Sequence, residues 1–173
     1  MACRKEVFDV SGCWESSFLH FPQKPTQPSN SMNSPLTAKE IGHLWFEKVW
    51  NERDADLARE LMAADAIGYL EGGLEVVGPE AFLAFQSSFL DAMPDIQINI
   101  EATLADDHDV CVQWSARASH SGPGLGLAPS GTKVDFRGVT WFQIADGKIV
   151  GGRDFWNKEA LMQTLVAASN TVA

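Results

Sequence analysis

The stretch Ile96-Gln97-Ile98-Asn99-Ile100-Glu101-Ala102-Thr103-Leu104 alternates apolar and polar side chains at every step. A period of two puts Ile96, Ile98, Ile100, Ala102 and Leu104 on one face of a strand, for burial, and their neighbours on the other. Asp106-Asp107-His108 then reads as a turn. The alternation resumes with Val110, Val112, Trp114, Ala116 and Ala118 set against Cys111, Gln113, Ser115, Arg117 and Ser119. A loop from Ser121 to Thr132 holds four glycines and two prolines. Val134–Ile144 predicts a third long strand and Ile149–Phe155 a fourth. Between them Ala145-Asp146-Gly147 is a hairpin turn whose glycine accepts positive φ.

Upstream of Ile96 the period is that of a helix. Thr37 and Glu40 have the spacing of a capping box, and Ile41, Leu44, Trp45 and Val49 follow on one face. Asp54 or Asp56 caps a second helix bearing Leu57, Leu61 and Met62. Ile67 to Leu70 is a short strand turned by Gly72-Gly73. Gly78-Pro79 opens a third helix, because proline at the first helical position loses no hydrogen bond. Its apolar stripe contains Phe82, Phe85 and Phe89, and Pro94 ends it. Asn157 caps a last helix carrying Leu161, Met162, Leu165 and Val166. Helices first, then consecutive antiparallel strands, predict an α+β fold: a curved, mostly antiparallel sheet wrapped around the N-terminal helices. Residues 1–35 are rich in Pro and Ser and lack periodicity, so a disordered tail is expected there, with residues 36–173 forming the domain.

The chain has 173 residues, 45% of them hydrophobic, which is enough for one real core. Six Trp and ten Phe against one Tyr suggest aromatic bulk that fills a core or lines a pocket. The net charge is −10, and residues 1–35 contribute nothing to it, holding three basic and three acidic side chains. The excess therefore lies on the folded part, which argues against nucleic acid and anionic membranes as partners. No apolar run approaches the roughly 20 residues that span a membrane. Glu6, Asp9 and Glu15 interrupt any signal-peptide pattern, and Cys3, Cys13 and Cys111 offer no disulfide framework. A reduced, cytoplasmic protein is the expectation.

His120 follows one alternating strand and Asp154 lies near the end of another. That layout can bring an imidazole and a carboxylate to the mouth of one curved sheet, a pair suited to proton transfer on a small apolar molecule. Asp154 shares parity with Val150, Gly152 and Trp156; if it points inward among them, burial raises its pKa into the range of a general acid/base. The blander reading is an outward Asp paired with a surface cation such as Arg153. For His120 the alternative is a strand-end histidine that pins the glycine-rich loop, and that loop is itself either a lip over the pocket or a long hairpin connection. Tyr69 can donate a hydrogen bond into a cavity or pack in the core. Arg137 can hold a substrate oxygen, or, like Arg117, sit in an outer salt bridge to Glu101 or Asp135. Trp114, Trp141 and Trp156 are candidate pocket walls. A metal site is not expected, since no His-x-x-x-His or paired cysteine is present.

Several local motifs, in order, resemble the SnoaL-like polyketide cyclases of the nuclear-transport-factor-like superfamily, which also includes ketosteroid isomerases. They are Met93-Pro94-Asp95, Asp109-Val110, Ser119-His120-Ser121-Gly122, Gly126, Pro129-Ser130-Gly131, Lys133 and Asp146-Gly147-Lys148-Ile149. The resemblance covers about residues 37–168. The family usually has Gly-Thr-His where this chain has Ala118-Ser119-His120, and Glu-His-Trp-Asp where it has Gly151-Gly152-Arg153-Asp154. The resemblance implies a cone-shaped subunit with a deep apolar pocket, a homodimer, and no metal or organic cofactor. It implies an aspartate, supported by a histidine, acting as acid/base in an intramolecular aldol ring closure; Asp154 and His120 match those positions. The expectation is thus a cofactor-independent acid/base enzyme acting on a small hydrophobic carbonyl compound, by ring closure or isomerisation. Two alternatives stay open: hydrolysis of an epoxide or lactone with the same aspartate as base, and non-catalytic binding of a hydrophobic ligand.

Overall fold

The computed structural model describes residues 35–172. The tail expected over residues 1–35 falls, apart from Pro35, outside the described residues.

Helix α1 (Ala38–Leu44) begins where the capping box predicts: the Glu40 amide donates to Thr37 Oγ1 at 3.2 Å and the Thr37 amide to Glu40 Oε2 at 2.8 Å. The helix then widens into a π-helical segment, Trp45–Trp50, in which the Asn51 amide reaches back to the Phe46 carbonyl at 3.1 Å. The wider turn lets Trp45, Phe46 and Trp50 all face the same side. Asp54, not Asp56, caps α2 (Ala55–Leu61), accepting from the Leu57 amide at 2.9 Å. Strand β1 (Met62–Leu70) starts five residues before the expected Ile67, and Met62 belongs to it rather than to the helix. After β2 (Leu74–Val77) the chain turns into α3 (Gly78–Ala92) with Pro79 in its first turn. Gly78 has φ +74°, and a Cβ there would lie 2.5 Å from the Ala64 carbonyl oxygen, so glycine is required.

The remaining strands are β3 (Gln97–Ala105), β4 (Asp109–Ser119), β5 (Lys133–Ala145) and β6 (Lys148–Trp156), followed by α4 (Lys158–Val172) capped by Asn157. All six strands form one sheet in the order β2-β1-β6-β5-β4-β3, antiparallel except for the β1–β6 pair. The α+β class and the curved sheet over N-terminal helices are those the periodicity predicts. Two irregularities were not. On β3 an extra residue at Glu101 breaks the pairing between Ile100 and Ala102, so the face flips and Leu104 is 76% exposed. A second break, on β6 at Val150, leaves Val150 outside while Ile149, Gly152 and Asp154 face in.

Helix α1 fits closely on the concave face: a Cβ on Gly42 would come within 2.9 Å of Val110 Cγ2. Trp45 and Phe46 continue the contact, with ring centroids 4.5 Å (Trp45–Phe82), 5.6 Å (Trp45–Phe142) and 6.3 Å (Phe46–Trp114) apart. Fully burying a side chain of this size contributes about 1.5–3 kcal/mol, so this cluster anchors the core. The loop between β4 and β5 is not a free lip. Its Ser121 and Gly122 amides donate to the Ala92 carbonyl at the end of α3, at 3.1 and 3.0 Å, and Gly122 and Gly124 lie so close to α3 that a Cβ on either would overlap its backbone. No helix among the described residues is long and apolar enough to cross a membrane.

Candidate functional site

Between the helices and the concave face of the sheet lies a partly open pocket. Its walls are aromatic and aliphatic: Trp45, Phe82, Phe89, Trp114, Phe136 and Trp156 are representative. Three residues in register build the sheet side, Trp114 on β4, Gly138 on β5 and Trp156 on β6. Gly138 is small because its neighbours are large. A Cβ there would stand 2.6 Å from Trp114 Cζ2 and 2.7 Å from Trp156 Cβ.

One cross-strand step away, Thr140 on β5 pairs with Asp154 on β6. The Thr140 hydroxyl donates to Asp154 Oδ1 at 2.6 Å, and the Trp114 indole N–H donates to Thr140 Oγ1 at 2.9 Å. Asp154 therefore sits half-buried on the pocket wall, its carboxyl set among mostly apolar groups. Burial pushes that carboxyl up to about 6; the Thr140 hydrogen bond opposes the rise and the Glu71 carboxylate adds to it. A group with this pKa exchanges a proton readily near neutrality, and the apolar wall keeps competing water away. Arg153 also reaches the pocket rim, but its guanidinium lies over the Tyr69 ring at 4.8 Å.

Three of the sequence-predicted site residues, Asp154, Trp114 and Trp156, thus line one pocket. The other four do not. His120 is fully buried on the inner face, but its Nδ1 faces Ser130 Oγ at 3.1 Å and its backbone holds the loop through Thr132, Ser130 and Gly131. Asp154 is level with Thr140 and, beyond it, with Val112 on β4. His120 lies just past the end of that strand, eight positions beyond Val112, and is not among the residues lining the pocket. The structure does not bring the two side chains together, and His120 pins the loop. Tyr69 is 40% exposed and points outward, because Gly68 and Leu70 on either side of it line the pocket. Trp141, 42% exposed between the inward Thr140 and Phe142, donates to Asp109 Oδ1 at 2.7 Å on the outer face. Arg137 is exposed for the same reason of alternation, between Phe136 and Gly138, and lines a separate surface groove with Lys133 and Asn157. Arg117, by contrast, makes the outer salt bridge to Asp135 that its position suggests, at 3.1 Å.

Thr140 escaped the sequence reading. The signal was present: along the inward stripe Val134, Phe136, Gly138, Thr140, Phe142, Ile144, it is the one polar side chain. Among the described residues no cluster of three or more His, Cys, Asp or Glu side chains is placed to hold a metal ion.

A conical α+β subunit, with an apolar pocket walled by sheet and helices and one acid set in its wall, defines the class. The family model described as SnoaL-like polyketide cyclase matches residues 42–165, and the chain belongs to that family. Among solved structures it is similar to one provisionally named a SnoaL-like polyketide cyclase from Jannaschia sp. CCS1, with 28% identity over 79% of this chain and 98% of that one and a TM-score of 0.71. It is also similar to AclR from Streptomyces galilaeus, provisionally named a hydroxylase, with 26% identity over 76% of this chain and 83% of that one and a TM-score of 0.64. IdmH from Streptomyces antibioticus, provisionally named a polyketide cyclase, shares the fold at 21% identity over 77% of this chain and 98% of that one, with a TM-score of 0.65. No curated protein matches the chain at significance.

Proposed function

We propose that this protein is an acid/base enzyme that binds a flat, apolar carbonyl compound and closes a ring in it, or isomerises it, with Asp154 as the group that moves the proton. The observation that carries this reading is the half-buried carboxyl of Asp154, set in aromatic walls and hydrogen-bonded to Thr140. The ionised carboxylate takes a proton from the carbon next to a substrate carbonyl, and the C–H electron pair becomes an enolate. In ring closure the enolate carbon bonds to a second carbonyl carbon of the same molecule. The resulting alkoxide recovers the proton from Asp154. Substrate and product are isomers, so no electron acceptor or co-reactant enters the balance. Trp114, Phe136 and Trp156 offer faces on which a planar substrate can stack.

The test is proton exchange in heavy water with a panel of aryl and polycyclic ketones bearing a second carbonyl. The parent protein is expected to wash deuterium into the α-position and to give cyclised product, and Asp154→Asn to do neither while still binding. Incorporation of labelled oxygen from water into product would instead support hydrolysis of an epoxide or lactone. Equal ligand affinity in parent and Asp154→Asn, with no turnover of any panel member, would reduce the protein to a binder.

We also propose that the chain pairs as a homodimer through the outer face of the sheet. Supporting this, Trp141, Phe155, Val150, Tyr69 and Ile67 are exposed together on the outer side of β5, β6 and β1.

A further inference from the structure

The chain of hydrogen bonds from Trp114 through Thr140 to Asp154 has a direction. An indole N–H can only donate, so Thr140 Oγ1 must accept from Trp114 at 2.9 Å. A hydroxyl has one hydrogen, and among the described residues no other side chain is bonded to Thr140 Oγ1. If Asp154 Oδ1 carried a proton and donated it to Thr140, the buried threonine hydrogen would be left facing an apolar wall without an acceptor. Thr140 therefore donates to Oδ1 whether Asp154 is charged or neutral.

We infer that Trp114 and Thr140 are positioning residues that reserve Oδ1 of Asp154 as a permanent acceptor and assign the mobile proton to Oδ2, the oxygen left to meet the substrate. Neither residue touches the reacting atoms in this role. They fix which oxygen works and so the face from which a bound molecule gives or receives its proton. Removal of Thr140 takes away the one hydrogen bond that favours the charged form, so the carboxyl becomes harder to ionise. The other charges near Asp154 are Glu71, in the turn after β1, and Arg153, which is turned to the outer face against Tyr69. Lys158, at the start of α4, lies 3.3 Å from the position of a Cβ on Gly72 in that same turn. These charges are untouched by the substitutions below. The chemistry served is that of the reading above, but the primary readout is spectroscopic and needs no turnover.

The experiment is infrared difference titration of the full-length protein, with the Asp154 carboxyl band identified by its loss in Asp154→Asn. In the parent, the carbonyl of the protonated acid is Oδ1, held by Thr140. Thr140→Val should move its stretch to higher frequency and raise the titration midpoint by about one pH unit, a tenfold change in the ionisation constant. Thr140→Ser should restore both, and Trp114→Phe should give intermediate values because the hydroxyl is then free to turn. The double variant Trp114→Phe/Thr140→Val removes donor and relay together, leaves no orphaned group, and serves if Thr140→Val alone folds poorly. An unmoved stretch in Thr140→Val and in the double variant would place the proton on Oδ1 and overturn the assignment. If the band moves as expected but no ketone is turned over by the parent, the relay stands and the enzymatic reading falls. With an active substrate, Thr140→Val should lower kcat at least tenfold, shift the pH profile upward, and leave KM nearly unchanged.

Discussion

Thr140 and Asp154 face each other directly across the β5–β6 pair, with 2.6 Å between hydroxyl and carboxylate oxygens. This contact holds the acid of the pocket in place while the surrounding aromatic wall strips it of water. The two effects act oppositely on its proton affinity, and burial wins.

That balance makes stability depend on pH in an unusual sense for a carboxylate. The folded pKa, about 6, lies above the ordinary value of 3.8. Between those values the unfolded chain has lost its proton while the folded chain keeps it. Stability contributed by the neutral acid is thus complete below about pH 4 and is lost as pH rises through 6. At pH 7 the charged, buried group costs on the order of 3 kcal/mol. Asp154→Asn should therefore be more stable than the parent at pH 7 and show a flatter stability profile from pH 4 to 6, measured by urea unfolding. A variant less stable than the parent at pH 7 would contradict the burial argument.

The proposed role of Asp154 as a base requires its ionised form in the free protein. We expect kcat/KM for the proton-transfer step to rise with pH and level off above about 6, following the folded pKa. Asp154→Glu, which keeps the acid but lengthens its reach, should lose at least tenfold in kcat.

Gly138 is a space-limited position rather than a flexible one. Gly138→Ala would push a methyl into Trp114 and Trp156, at 2.6 and 2.7 Å, and towards the Phe155 carbonyl at 2.9 Å. A loss of roughly 1–3 kcal/mol in denaturant unfolding is expected, with reduced ligand binding because both pocket walls shift. Parent-like stability and binding would show that the wall can yield.

Since His120 packs against Ser130 and not against Asp154, the two sites should act independently. His120→Gln should lower stability by about 1–3 kcal/mol through loss of the buried loop anchor. Combined with Asp154→Asn, the two effects on unfolding should add to within about 0.5 kcal/mol. Coupling well above that figure would mean that the two groups communicate.

Pairing through the outer sheet face is tested by Trp141→Glu with Phe155→Glu. The parent should have twice the chain mass by light scattering and the double variant the single-chain mass. Equal masses would remove that face as the interface.

Much of this architecture is legible in local sequence. The Thr37–Glu40 cap, the proline start of α3, the Asp146-Gly147 turn and the alternation along β4 each rest on neighbouring residues, and each appears where local chemistry puts it. Positive φ at both Asp146 (+50°) and Gly147 (+73°) is what a tight two-residue hairpin demands. The misses share one cause. Alternation reports which side of a sheet a residue faces, but not its height along the strand or whether an inserted residue has reset the count. His120 has the expected side and the wrong height. Strict alternation puts Leu104 on the buried face and Val150 on the face of Asp154, because the bulges at Glu101 and Val150 leave no mark in composition. The change from α to π winding at Trp45 coincides with close packing of large rings, which a single helix pattern does not encode.

The parallel pairing of β1 with β6 has a further consequence. Tyr69 lies beside Arg153, so the first long strand waits for the last one before its edge is satisfied. During synthesis the ribosome must deliver nearly the whole domain before this seam can zip. A nascent chain halted before Lys148 would lack the strand bearing Asp154 and would leave an open β1 edge exposed to other chains. Premature termination should therefore yield a species prone to aggregate, rather than a smaller working protein.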